Sequence, residues 1–206
     1  KIIQPLFRGG ENVQEPDVID ETGAKVIIAG YGRFGMTVGR FLQANGMKTV
    51  VLDHDAEQVH SLRKFGFKLF YGDASRLDLM EAAGAAEAKA LVICLKDHEK
   101  IENMIDEVKR HYPHLKIFVR ATDRVHAYSL LNKGVETIYR EMFDSSVRLA
   151  EELLVSLGKH PYEDHRAANL FKKHDDDLLR ATAKHAADQN RLIDMARQGR
   201  AEISNV

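Results

Sequence analysis

Cysteine is nearly missing from this 206-residue chain: Cys94 is the single one, and a lone thiol excludes an intrachain disulfide. Its place in the apolar run Leu91-Val-Ile-Cys-Leu95 reads as a buried small side chain in a reducing compartment. An excess of one charge sign is missing too. Thirty basic against 31 acidic residues leave a net charge of −1, which gives no electrostatic footprint for nucleic-acid binding. No run approaches the roughly 18 consecutive apolar residues that cross a bilayer and no secretory signal is present, so the chain as it stands is expected to be soluble. Metal-binding spacings are also lacking. The ten histidines are scattered, His111 and His114 straddle Pro113, and neither H-E-x-x-H nor paired cysteines occur.

What is there begins with Lys25-Val-Ile-Ile-Ala-Gly30-Tyr-Gly32-Arg-Phe-Gly35, an apolar strand running into a G-x-G-x-x-G turn. Gly30 permits the tight turn and Gly32 a close approach of backbone to a pyrophosphate. Gly35 lets the following helix pack on the strand, with its first amides toward the phosphates. Thr49-Val-Val-Leu-Asp53 then supplies a second strand ending in a carboxylate suited to a ribose 2′-hydroxyl. That carboxylate argues against a 2′-phosphate, so NAD(H), ADP or AMP is favoured over NADP(H). Tyr31, Arg33 and Phe34 complete the turn. A second strand-end carboxylate, Asp73, followed by Ala74, is placed to border an adenine or ribose.

Strand and helix patterns alternate after Lys25. Strands are expected at 26–29, 49–52, 68–71, 90–95, 116–120 and 136–139, with helices at 34–45, 56–65, 76–83, 98–111 and 124–132. Near-continuous apolar strands predict a Rossmann-like, doubly wound parallel sheet covered on both faces, followed by a helical C-terminal extension. With 44% apolar residues the chain can build a sizeable core. Phe34, Val38, Phe41 and Leu42 recur at helical spacing and should face the sheet, leaving Arg33 and Arg40 outside. The expected organisation is a polar linker over 1–24, a nucleotide-binding domain over 25–140, and a dimerisation helix with a helical tail over 141–206. Because the chain starts with lysine, something is expected to precede the linker. The helix over 143–157 is apolar around much of its circumference and should pack on both its own sheet and another subunit. A thin stripe from Leu178 through Leu179, Thr182, Ala183, Ala186, Ala187, Asn190 and Ile193 to Ala196 fits either an arm on a partner or a tail folded on its own domain.

Apparatus for turnover is absent: no second mixed domain follows the sheet and no Ser-x-x-x-Tyr-x-x-x-Lys constellation occurs, so no catalytic residue is assigned. A structural or regulatory nucleotide follows. A small NAD-dependent oxidoreductase, an enzyme subunit and a redox-sensing module for another partner stay open at this point.

The order of Gly-Tyr-Gly-Arg-Phe-Gly, Val-Val-Leu-Asp53, Tyr-Gly-Asp73-Ala-Ser, Leu-Val-Ile-Cys and Ile-Phe-Val-Arg-Ala resembles the RCK or KTN (TrkA-N) regulatory domains of potassium channels and transporters. Over about residues 25 to 160 it is most similar to the bacterial glutathione-regulated potassium efflux systems, the Kef family. Beyond roughly residue 172, at Lys-Lys-His-Asp-Asp-Asp, it departs from that pattern. The resemblance implies a homodimeric cytoplasmic gate on a potassium/proton antiporter of the inner membrane. It also implies NAD(H) or AMP bound at the glycine turn, closure by glutathione and opening by its electrophile adducts. The implied partners are a membrane antiporter domain of the same chain and an ancillary quinone-oxidoreductase-like flavoprotein subunit. A pocket for the glutathione dianion needs arginines that grip carboxylates. Arg40, Arg140 and Asn169 are the candidates, with Phe65 sensing the bulk of an adduct.

Overall fold

The computed structural model describes residues 16–19, 23–186 and the isolated positions 188, 191, 194, 195 and 197. Six strands form one wholly parallel sheet in the order β3-β2-β1-β4-β5-β6. They are β1 (Val26–Ala29), β2 (Thr49–Asp53), β3 (Phe70–Tyr71), β4 (Ala90–Ile93), β5 (Lys116–Ala121) and β6 (Thr137–Arg140). Between them run α1 (Arg33–Ala44), α2 (Ala56–Lys64), α3 (Leu77–Ala82), α4 (His98–His111) and α5 (Arg124–Asn132). After β6 come α6 (Phe143–Ser156) and α7 (Pro161–Ala183). The expected doubly wound fold with a helical extension is therefore present. No helix among the described residues is long and apolar enough to cross a membrane.

Short loops ending in aspartate start three of the helices. Asp55, Asp97 and Asp123 accept from the amides of Gln58, Lys100 and His126 at 3.0, 3.1 and 2.9 Å, which satisfies donors that a helix start leaves unpaired. The sheet separates two cores. Ile28 and Val51 pack with Met36, Leu42, Val59 and Leu62 of α1 and α2 on one face. Ile27, Leu91, Ile93 and Val119 pack with residues of α3, α4, α5 and α7 on the other.

Three expectations change here, and a fourth, left open between two outcomes, is decided. Phe41, assigned to the sheet-facing side of α1, is 70% exposed, and the face that packs carries Gly35, Met36, Gly39 and Leu42. Two close approaches turn the helix: a Cβ on Gly35 would lie 2.2 Å from the Gly30 carbonyl oxygen, and one on Gly39 2.6 Å from the Tyr31 ring. Helix α6 buries none of its residues, and α7 rather than the sheet is its main packing partner among the described residues. The stripe on α7 folds back on its own domain: Leu179, Thr182 and Ala183 are buried, and the Asn132 side-chain amide donates to the Ala183 carbonyl at 3.0 Å. Ala187, Asn190, Ile193 and Ala196 lie outside the described residues. Finally, part of the polar N-terminal segment is docked. The Asp17 amide donates to the Tyr71 carbonyl at 3.0 Å, and its carboxylate receives Arg63 and the Tyr71 amide along the edge strand β3. Pairing there covers backbone groups an edge strand leaves open.

Candidate functional site

A cleft of about 720 Å³ opens at the carboxyl ends of the strands, where β1 and β4 send their connections to opposite faces. Ligands of doubly wound sheets bind at this switch point. Gly30 turns the chain with φ +91°, and a side chain there would meet the Cys94 carbonyl at 3.1 Å. Gly32 precedes α1 with no side-chain cap, so the first amides of α1 face the cleft without a side-chain partner. An added Cβ at Gly32 would meet nothing within 4 Å of it. Arg33 and Phe34 line the same wall.

Asp53, at the end of β2, is buried and accepts from the Tyr31 amide at 2.6 Å and the Asp55 amide at 2.9 Å. Each carboxylate oxygen thus holds one backbone donor and keeps a lone pair for a sugar hydroxyl. Gln58 ties the arrangement together by donating to the Tyr31 carbonyl at 2.6 Å. Across the cleft, Asp73 accepts from the Ser75 hydroxyl at 2.7 Å and its amide at 3.0 Å, and pairs with the Lys100 ammonium at 3.2 Å. Partial burial pushes the Asp73 carboxyl up, but the Ser75 and Lys100 donors outweigh it and hold it below the ordinary carboxylate value.

Two residues assigned to the nucleotide from the sequence belong to the core instead. The Tyr31 ring is buried against Phe67 and over Gly39, with its backbone tied to Asp53 and Gln58, and Ala74 is buried in the main core. Both follow from the alternation of a turn, in which the neighbours of the cleft-facing residues must point inward. The opposite wall went unread in the sequence: Lys96, Lys100, Arg120 and Glu141 line it. Arg120 is buried, donating to Glu141 at 3.1 Å and to the Leu95 carbonyl at 2.5 Å, while its Nε has no partner among the described residues. Position is the signal that could have found them, since Lys96, Arg120 and Glu141 end or follow later strands of the same edge and Lys100 lies in the first turn of the helix after β4. Cys94 also lines the cleft; burial pushes its thiol up to about 12, which leaves it protonated and inert.

The four residues assigned to glutathione are not brought together within one chain. Arg40 is exposed on α1, on one face of the sheet, whereas Arg140 is held on the other by α7. Asn169 is exposed on α7. The carboxylate that meets Arg140 is Asp175, which also takes Arg124 at 2.7 Å. The Arg140 guanidinium lies 3.7 Å over the Phe143 ring, and Phe143 stacks on Phe171 with centroids 6.1 Å apart. Phe65 follows α2 at 77% exposure, so it is no part of the core.

The sheet order, the glycine turn and the strand-end carboxylates define a Rossmann-like domain with a switch-point cleft. The chain belongs to the TrkA-N domain family, whose model matches residues 26–141. The model of the potassium efflux system KefB C-terminal domain matches residues 145–206, which overturns the expected departure beyond residue 172. The glutathione-regulated potassium-efflux system protein KefC of Escherichia coli O139:H28 is 46% identical over 163 residues, 79% of this chain and 26% of that protein. This chain thus spans about a quarter of the length of the curated relatives it matches. Among solved structures, Shewanella denitrificans Kef CTD in its AMP-bound form is 46% identical with a TM-score of 0.71, over 77% of this chain and 97% of that one. The TrkA-N domain of inner membrane protein ybaL from Escherichia coli shares the fold at 23% identity and a TM-score of 0.56, over 64% of this chain and 96% of that one.

Proposed function

We propose that this chain is the cytoplasmic ligand-sensing gate of a bacterial glutathione-regulated potassium/proton antiporter of the inner membrane, holding a nucleotide in its switch-point cleft. The observation that carries this reading is the 46% identity to KefC across 79% of the chain, through both the sheet and the helices after it. AMP or NAD(H) would lie with its ribose on Asp53 and its phosphate at the start of α1, beside Arg33. No turnover is assigned to the site: the nucleotide preorganises the two halves of the sheet.

On this reading the segment before Lys25 leads from a membrane domain, residues 25–140 form the nucleotide-binding domain, and 141–206 supply a dimerisation helix and tail. Leu149, Leu153 and Leu157, exposed at 69, 56 and 74%, support a homodimer through α6. Two copies would also allow Arg40 of one to approach Arg140 of the other, which a single chain keeps apart. Glutathione would bind between the copies, its adducts pressing on Phe65, and only a difference in affinity for two dimer states can gate the pore. A flavoprotein resembling quinone oxidoreductases would dock on the same dimer. Calorimetric titration with reduced glutathione and a bulky S-conjugate, in the presence of AMP or NADH, tests the reading. Competitive binding of both is expected. Nucleotide binding with neither peptide bound would sink the glutathione assignment, and oxidation of NADH by carbonyl or quinone acceptors would replace the gate with an enzyme.

A further inference from the structure

We propose that His98 and His126 form a proton-operated clamp that closes the far wall of the cleft and releases it when His126 takes up a proton. The inference rests on the nucleotide reading of the cleft for one of its two readouts only.

Helices α4 and α5 both start at the carboxyl edge of the sheet, and the first residue of one meets the third residue of the other. The His98 and His126 rings stack with centroids 3.7 Å apart and planes 19° from parallel. Hydrogen bonds set their tautomers. The Thr122 hydroxyl donates to Asp123 at 3.1 Å, so its oxygen is left to accept from His98 Nε2–H at 3.0 Å. The Thr122 backbone amide points at His126 Nδ1 from 3.4 Å, which makes Nδ1 the unprotonated nitrogen. The His126 proton therefore sits on Nε2, which is buried with no partner among the described residues. A second proton would have to enter at Nδ1. There it would oppose the Thr122 N–H and press a cation against the face of the neighbouring imidazole.

The groups around His126 pull in both directions. Burial opposes its charge most, followed by His98 from α4, with Arg120 from β5 adding to them. Asp123 at the start of α5 and Glu102 on α4 favour the charge but do not prevail, so the ring titrates below the ordinary imidazole value of 6.5. The sign follows by linkage. Above that value both closed and opened chains carry a neutral ring and the clamp is at full strength. As pH falls below it the opened chain takes up the proton first, and the clamp weakens until the closed ring titrates as well. Lys96, Asp97 and Lys100 flank His98 in sequence and line the cleft, and Lys100 bridges the cleft mouth to Asp73. Releasing the start of α4 therefore removes that bridge and displaces the wall that faces the nucleotide.

Hydrogen exchange of the amides over 97–101 and 122–126, with AMP titrations beside it, tests the clamp between pH 8 and 5 on the full chain. His126→Asn is the key variant: its side-chain oxygen stands in for Nδ1 as acceptor and takes no proton in this range. After correction for intrinsic exchange, the wild type should lose protection several-fold at both helix starts together by pH 5.5, and His126→Asn should lose none. The AMP phosphate titrates near pH ~6 in both proteins, so the affinity readout is the difference between them, a loss several-fold greater in the wild type. His98→Ala, at an exposed ring, removes the stacked partner and should leave both helix starts less protected already at pH 8, with a smaller further loss on acidification, which keeps the test open if His126→Asn folds poorly. Unchanged wild-type protection across the range, or an identical course in His126→Asn, would overturn the clamp. Equal AMP affinities despite different exchange would overturn its coupling to the cleft. AMP binding at no pH would instead strike the nucleotide reading, with exchange still deciding the clamp.

Discussion

An added Cβ at Gly35 would lie 2.2 Å from the Gly30 carbonyl oxygen, whereas one at Gly32 enters open cleft. The two substitutions should therefore separate stability from binding. Gly35→Ala forces helix and strand apart and should lower the unfolding free energy by about 1–3 kcal/mol or more. Gly32→Val should melt close to the wild type and yet lose more than tenfold in AMP affinity by calorimetry, because its side chain would stand where the phosphate of the proposed nucleotide approaches. Equal AMP affinity in Gly32→Val would remove the turn from the nucleotide site. Asp175 already occupies Arg140, the arginine that the proposed glutathione site would use. Asp175→Asn leaves the shape and removes the competing charge. Glutathione should bind several-fold more tightly to that variant, at a stability cost of about 3 kcal/mol because two largely buried guanidiniums lose their carboxylate. Weaker binding would instead make Asp175 part of the pocket.

Helices α6 and α7 divide one apolar inventory between two surfaces. Leu179 of α7 is buried against α5 and the sheet, so Leu179→Ala should cost about 2–4 kcal/mol in urea unfolding through lost burial and the cavity left behind. The leucines of α6 touch no core, so replacing Leu149 and Leu153 by glutamate should leave the far-ultraviolet signal and the unfolding midpoint nearly unchanged. The same pair should convert the proposed dimer to a monomer in light scattering after gel filtration. A dimer that survives would move the interface elsewhere. Helical periodicity alone showed both stripes, but it carries no information on which neighbour receives them. The stripe of α1 shows the same limit. Phe41 fits the period, but the bulkless Gly35 and Gly39 are what allow close packing, and they bring a different face to the sheet.

On the scale of the whole molecule, acid should act in two stages. From the ordinary histidine value of 6.5 downward, stability should drain slowly as His126, depressed by burial, is protonated more readily in the unfolded chain. Below the ordinary aspartate value of 3.8 a second loss follows. Asp73 and Asp123 are both held down by the hydrogen bonds they accept, so their contributions exist above that value and vanish as pH falls through the folded one. Urea midpoints measured from pH 8 to 3 should show both limbs, and His126→Asn should abolish only the first. By itself the sequence determined the alternation of strands and helices, the glycine turn and the carboxylates Asp53 and Asp73, because each is a local pattern in which spacing alone states the geometry. The other wall of the cleft was decided only by tertiary structure. Lys96, Lys100, Arg120 and Glu141 come from separate segments that meet once β4 and β5 pair beside β1. The same holds for Asp175 on Arg140, 35 positions apart, which meet because α7 folds back over the end of β6, and for His98 on His126, 28 positions apart, which touch because parallel strands bring their carboxyl ends, and the helices that start there, to one edge.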